Sequence, residues 1–83
     1  MPTSKEVEEV VLKIFSSVLG IQDFNEMKNL TYGQSEIWDS LAFMEIFILV
    51  ENVFKLTIPE ERIASLKSVE NFIDLVAEHS ERE

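Results

Sequence analysis

Apolar residues open the chain at helical spacing. Val7, Val10, Val11, Ile14, Phe15, Val18 and Leu19 recur at intervals of three and four, the period of one buried helical face. Thr3 and Glu6 stand at capping-box spacing ahead of this stripe and place a helix start near Ser4. Gly20 is its expected stop. From Ile21 to Trp38 the period fails: Asp23, Asn25, Asn29, Thr31, Gly33, Gln34 and Ser35 interrupt it. Ile21, Phe24, Leu30, Tyr32, Ile37 and Trp38 are available to pin this segment to a core. A connection of that length is uncommon in a small domain. A functional role would explain it, and so would a short helical turn around Phe24–Lys28.

A second long helix is predicted from Asp39 or Ser40 to about Phe54. Thr57 and Glu60 repeat the capping-box spacing, with Pro59 tolerated in a first turn, so a short helix is expected from Pro59 to Leu66. Glu60 and Glu61 sit where its dipole favours them. Ser68 is the expected cap of a last helix whose inner face is Val69, Phe72, Ile73 and Val76, and the tail from Ser80 to Glu83 is expected to fray. The sum is a single all-α domain: a small four-helix bundle with three long helices, one short helix and a long loop between helices one and two.

On a wheel of about 100° per residue, the helix from Ser40 divides unusually. Leu49, Ala42, Val53, Ile46, Val50, Phe43, Phe54 and Phe47 share one arc of roughly 160° without a charge, which predicts the core face. The other arc holds Ser40, Glu51, Met44, Lys55, Ile48, Leu41, Asn52 and Glu45. A solvated face is normally polar, yet Leu41, Met44 and Ile48 align with Ser40 between acidic neighbours. Such a stripe fits a docking surface; the alternative is that the long loop folds over and buries it.

Composition narrows the partners. The 83 residues carry 16 acidic and 7 basic side chains, a formal charge of −9. Nucleic acid is disfavoured, because phosphate backbones need clustered Lys and Arg, and so are anionic membrane surfaces. A partner with a basic docking patch is favoured, since complementary fields steer encounter. Cysteine is absent, which excludes disulfides and thiolate chemistry. The start of the chain lacks the apolar core of a signal peptide. The apolar run Leu41 to Val50 is too short to span a bilayer. A cytoplasmic protein is the default expectation.

Ser40 is the candidate for chemistry. At a helix start its hydroxyl faces solvent beside amide groups that suit a phosphate ester. Its plain alternative is a helix-capping serine. A hydrolytic triad needs a histidine within reach of the serine, and His79, the only histidine, lies near the other end of the chain, where it complements a helix dipole. No segment has the ligand spacing of a calcium-binding loop, and no glycine-rich phosphate loop occurs.

Asp39-Ser40-Leu41 opening an apolar helix, then Glu45, Glu51 and Phe54, then Ile58-Pro59-Glu60-Glu61, Ile63 and Ser68-Val69, together resemble the acyl carrier protein family, including peptidyl and D-alanyl carriers. The likeness runs along the whole chain. It implies that Ser40, next to Asp39, receives phosphopantetheine from coenzyme A through a magnesium-using phosphopantetheinyl transferase, and that the arm holds an acyl or aminoacyl group as a thioester. It further implies that Leu41, Met44, Glu45, Ile48 and Glu51 form the surface read by the transferase, by an acyl- or aminoacyl-loading enzyme and by downstream acyl-processing enzymes. The protein would be a monomeric carrier and not an enzyme. Ile37-Trp38, Ala42-Phe43 and Asn52-Val53 depart from the pattern of fatty acid synthesis, and the Trp38-Asp39-Ser40-Leu41 form looks more like free-standing carriers of specialised pathways. Phe43 and Phe47 either line a tunnel for the cargo or close it; ordinary core packing is the plain explanation of both. The rival from another class is an unmodified helical adaptor that binds partners through the Leu41/Met44/Ile48 face.

Overall fold

The stripe beginning at Val7 winds into α1, Ser4–Leu19, in a computed structural model that describes residues 4–34 and 36–81. Val7, Val11, Leu12, Ile14 and Phe15 are buried, and Val10, Val18 and Leu19 pack at the edge of the core. Gly20 ends the helix at φ +74°, its N–H donating to the Ser16 carbonyl at 2.9 Å. That left-handed backbone suits a residue without Cβ. Thr3 of the expected capping box lies outside the described residues.

The connection after Gly20 contains α2, Phe24–Lys28, at the place of the expected helical turn, so the described residues form five helices, three of them long. Asp23 caps it, accepting from the N–H groups of Asn25 at 2.9 Å and Glu26 at 3.3 Å. Met27 is the residue that enters the core, while Phe24 and Ile37, expected as pins, stay exposed. So short a helix presents little more than one side chain inward. Ile37 and Trp38 are neighbours, and only Trp38 turns in.

α3, Ser40–Phe54, buries Ala42, Phe43, Ile46 and Val50. Its core face is narrower than the wheel predicts: Leu49 and Val53 are exposed. α3 packs chiefly on α1, and one neighbouring helix cannot cover so wide an arc. Lys55 ends α3 in left-handed backbone at φ 54°.

α4, Glu60–Ile63, is a single turn with no buried residue, shorter than the predicted Pro59 to Leu66. Pro59 precedes it with extended backbone (φ −61°, ψ 140°) and no side-chain cap, so the Thr57 capping box does not form. Beyond Ile63 the chain tightens into a turn, with the Ser65 and Leu66 N–H groups donating three residues back at 3.1 Å, a short-range pattern that does not propagate.

α5, Val69–Glu81, starts where Ser68 predicts. Ser68 Oγ accepts from the Asn71 N–H at 3.2 Å, and Asn71 Oδ1 accepts from the N–H groups of Lys67 and Ser68 at 3.0 and 3.1 Å. Asn71 thus fills the reciprocal role usually taken by Glu or Gln. Helical backbone extends through Glu81, into the tail expected to fray, and residues 82–83 lie outside the described residues. Val69, Phe72, Leu75 and Val76 are buried.

Aromatic rings join these elements. Trp38, fully buried, meets Phe15 edge-on at 5.2 Å between centroids, and Phe15 meets Phe72 at 5.4 Å. Edge-to-face pairs add about 0.5–1.5 kcal/mol beyond their area burial. Trp38 Nε1–H has no hydrogen-bond partner among the described residues, a cost that the buried indole surface offsets. The loop is also held through its backbone: the Tyr32 N–H donates to the Lys67 carbonyl at 2.8 Å. Two exposed ion pairs link neighbouring helices, Lys28 with Glu8 and Arg62 with Glu78. The hydrogen bond from Glu8, reinforced by its charge, raises the Lys28 pKa above its ordinary value.

Candidate functional site

Asp39 determines how Ser40 is presented. With extended backbone (φ −89°, ψ −176°), Asp39 caps α3: its Oδ1 accepts from the Ala42 N–H at 2.9 Å and its carbonyl from the Phe43 N–H at 2.9 Å. Ser40 is therefore the first helical residue and not the cap. Its side chain is exposed, and among the described residues nothing is hydrogen-bonded to its Oγ. The capping explanation of Ser40 thus fails, because Asp39 holds that role. The amides of Ser40 and Leu41 lie in the first turn, where no intrahelical carbonyl is available to them, and they leave the helix start electropositive.

The ground beneath Ser40 is rigid. Trp38 precedes Asp39 and is buried; Phe43 follows one turn later and is buried too. Two anchors on either side fix the helix start while the serine faces out. An exposed, electropositive and rigidly held hydroxyl can accept a phosphate ester without disturbing the core.

The stripe beside Ser40 is open. Leu41 is 69% exposed, Met44 51% and Ile48 48%, and Glu45 is exposed with them. The long loop does not bury this face; its backbone is tied through the Tyr32 N–H to the Lys67 carbonyl, just ahead of α5. Glu51 differs from the other predicted surface residues. It is half-buried, and its Oε2 accepts from the Ile58 N–H at 2.9 Å, so it braces the segment after α3 as well as edging the face. Sequence reasoning missed Ile37, whose exposed side chain extends the apolar series ahead of Ser40. The available signal was only its adjacency to Trp38, and packing decided which of the two turned inward.

His79 stands in the last turn of α5, half-buried. Among the described residues no group of His, Asp and Glu side chains is placed to hold a metal ion, and no helix is long and apolar enough to cross a membrane.

No family model matches the chain. An acyl carrier protein of Rubrobacter xylanophilus is 25% identical over 75 residues, which cover 90% of this chain and 93% of that protein. The chain is thus similar to an acyl carrier protein along nearly its whole length. Its helical bundle agrees with that likeness. Acyl carrier proteins generally bear a phosphopantetheine group. The exposed serine at the start of α3 has the chemistry to accept one: a free hydroxyl, first-turn amides beside it, and a cap supplied by another residue.

Proposed function

We propose that this single-domain protein is an acyl carrier whose Ser40 bears phosphopantetheine, donated by coenzyme A through a phosphopantetheinyl transferase. The observation that carries this reading is the division of labour at the start of α3, where Asp39 caps and Ser40 is left free and exposed. A serine needed only for the helix would be the cap. The arm, when attached, supplies a terminal thiol that holds acyl or aminoacyl groups as thioesters. The chain's own contribution is to present Ser40 on a fixed corner and to offer the surface beside it. Leu41, Met44 and Ile48 fit apolar pockets of a partner, Glu45 fits a Lys or Arg, and Glu51 joins at the edge with one oxygen already engaged.

The partners are the transferase, an acyl- or aminoacyl-loading enzyme and downstream acyl-processing enzymes with basic docking patches. The carrier acts as a cytoplasmic monomer. Its pathway is a specialised biosynthetic one, or fatty acid or polyketide synthesis.

The test is intact mass after incubation with a broad-specificity transferase, magnesium and coenzyme A. One phosphopantetheine adduct and one new thiol on a chain without cysteine, both absent in Ser40→Ala, are the expected result. A folded protein that takes no adduct from several transferases refutes the reading. The open stripe would then belong to an unmodified adaptor, which tolerates Ser40→Ala but loses binding when Met44 or Ile48 is made polar.

A further inference from the structure

Resting on the carrier reading, we propose that the aromatic cluster beneath Ser40 closes the bundle to the cargo, with Phe43 as the plug. The acyl group is then carried outside the fold, and the cargo is short or polar, aminoacyl groups included. Phe43 lies one turn after Ser40 on the inner side of α3. Its ring is 4.7 Å from Tyr32, 5.9 Å from Phe72 and 6.4 Å from both Trp38 and Phe47. Phe15 packs behind Trp38 and Phe72 at 5.2 and 5.4 Å. These rings come from α1, α3, α5 and the loop, so they tie those elements together beneath the start of α3.

An alkyl chain passing inward from Ser40 must displace Phe43, and with it rings on several elements at once. Close-packed interiors resist that, because rings already in contact lose their partners when separated. The loop cannot swing aside easily: Trp38 is fully buried, and Tyr32 is bonded to Lys67. A long alkyl chain left outside keeps its apolar surface in water, an unfavourable state that grows with each methylene. A short or polar group carries little such penalty. Closure therefore selects against long-chain cargo.

The test loads the protein directly from butyryl-, octanoyl- and dodecanoyl-coenzyme A with the transferase. Trp38 is the only tryptophan and sits inside the cluster, so its emission reports whether a chain has entered. The rate of thioester cleavage by hydroxylamine reports shielding of the cargo. Closure predicts the same Trp38 emission and the same cleavage rate for all three chains. Emission that shifts and cleavage that slows with chain length overturn the proposal.

Phe43→Leu should introduce the length dependence that the parent lacks. Phe47→Ala, at the half-buried edge, should do so more weakly and keeps the test open if the first variant unfolds. Folded variants with no length dependence remove Phe43 as the plug. Failure of the carrier reading appears differently, as a missing mass gain on Ser40. Closure is then read on the unmodified protein with octanoyl-pantetheine in solution: constant Trp38 emission upholds it, and a saturable shift overturns it.

Discussion

Replacing Asp39 by alanine removes the side chain that caps α3 and leaves the Ala42 amide, bonded at 2.9 Å in the native protein, without its partner. Loss of a capping side chain costs about 0.5–2 kcal/mol, with about 1 as the central value. For a domain of this length each kcal/mol lowers Tm by about 4–8 °C, so Asp39→Ala should melt lower by about that amount. Asp39→Ser and Asp39→Asn supply an acceptor of similar reach and should restore most of the loss. Ser40→Ala should behave differently. Ser40 is the first helical residue with an exposed side chain, and alanine is the better helix former by a few tenths of a kcal/mol. Its Tm should stay level or rise slightly, while uptake of phosphopantetheine disappears. The assay pairs thermal unfolding followed by far-ultraviolet circular dichroism with intact mass after transferase treatment. A Ser40→Ala variant that melts as low as Asp39→Ala would refute the separation of cap from attachment point. So would a failure of Asp39→Ser to recover stability.

Other substitutions probe the supports of the site. Glu51→Ala leaves the Ile58 amide unbonded and should cost about 1–2 kcal/mol in urea unfolding, with Glu51→Gln recovering part of it. Trp38→Ala empties the centre of the aromatic cluster and should cost about 3–5 kcal/mol, much of the roughly 4–12 kcal/mol expected for a chain of this length; loss of a cooperative thermal transition would show it. Lys55→Gly relieves left-handed backbone at φ 54° and should stabilise by about 0.5–1 kcal/mol, read as a higher Tm. The Lys28–Glu8 pair raises the Lys28 pKa. Its contribution is therefore fully present below pH 10.5 and fades as pH rises through the raised value. The stability difference between the parent and Lys28→Ala should vanish there, and a difference that persists would show that the pair is not its source.

The helices were legible because their signals are local. The period from Val7 to Leu19 and the stop at Gly20 needed only neighbours along the chain, and so did the cap Ser68. The Thr57 capping box was misleading for an equally local reason: Pro59 holds extended backbone and delays α4 to Glu60. The start of α3 was legible to within one residue, but that Asp39 is the cap and Ser40 the free hydroxyl came from the fold, where the Asp39 carboxylate meets the Ala42 amide.

Which side chains the helices bury was settled by their neighbours. A wheel places Leu49 and Val53 on the same arc as Ile46, but burial requires a facing element, and α3 has α1 over only part of that arc. The sequence offered Trp38 and Ile37 equally as pins; packing against Phe15 and Phe72 took the indole and left Ile37 in water. Glu51 had the look of a surface charge until the chain after α3 brought the Ile58 amide to it. The sequence by itself determined the elements and the chemistry of the exposed serine, because backbone propensity and capping act over a few residues. Tertiary structure alone decided that the apolar stripe beside Ser40 stays open and that the ground beneath Ser40 is filled with rings, because both depend on residues far apart in the chain meeting in space.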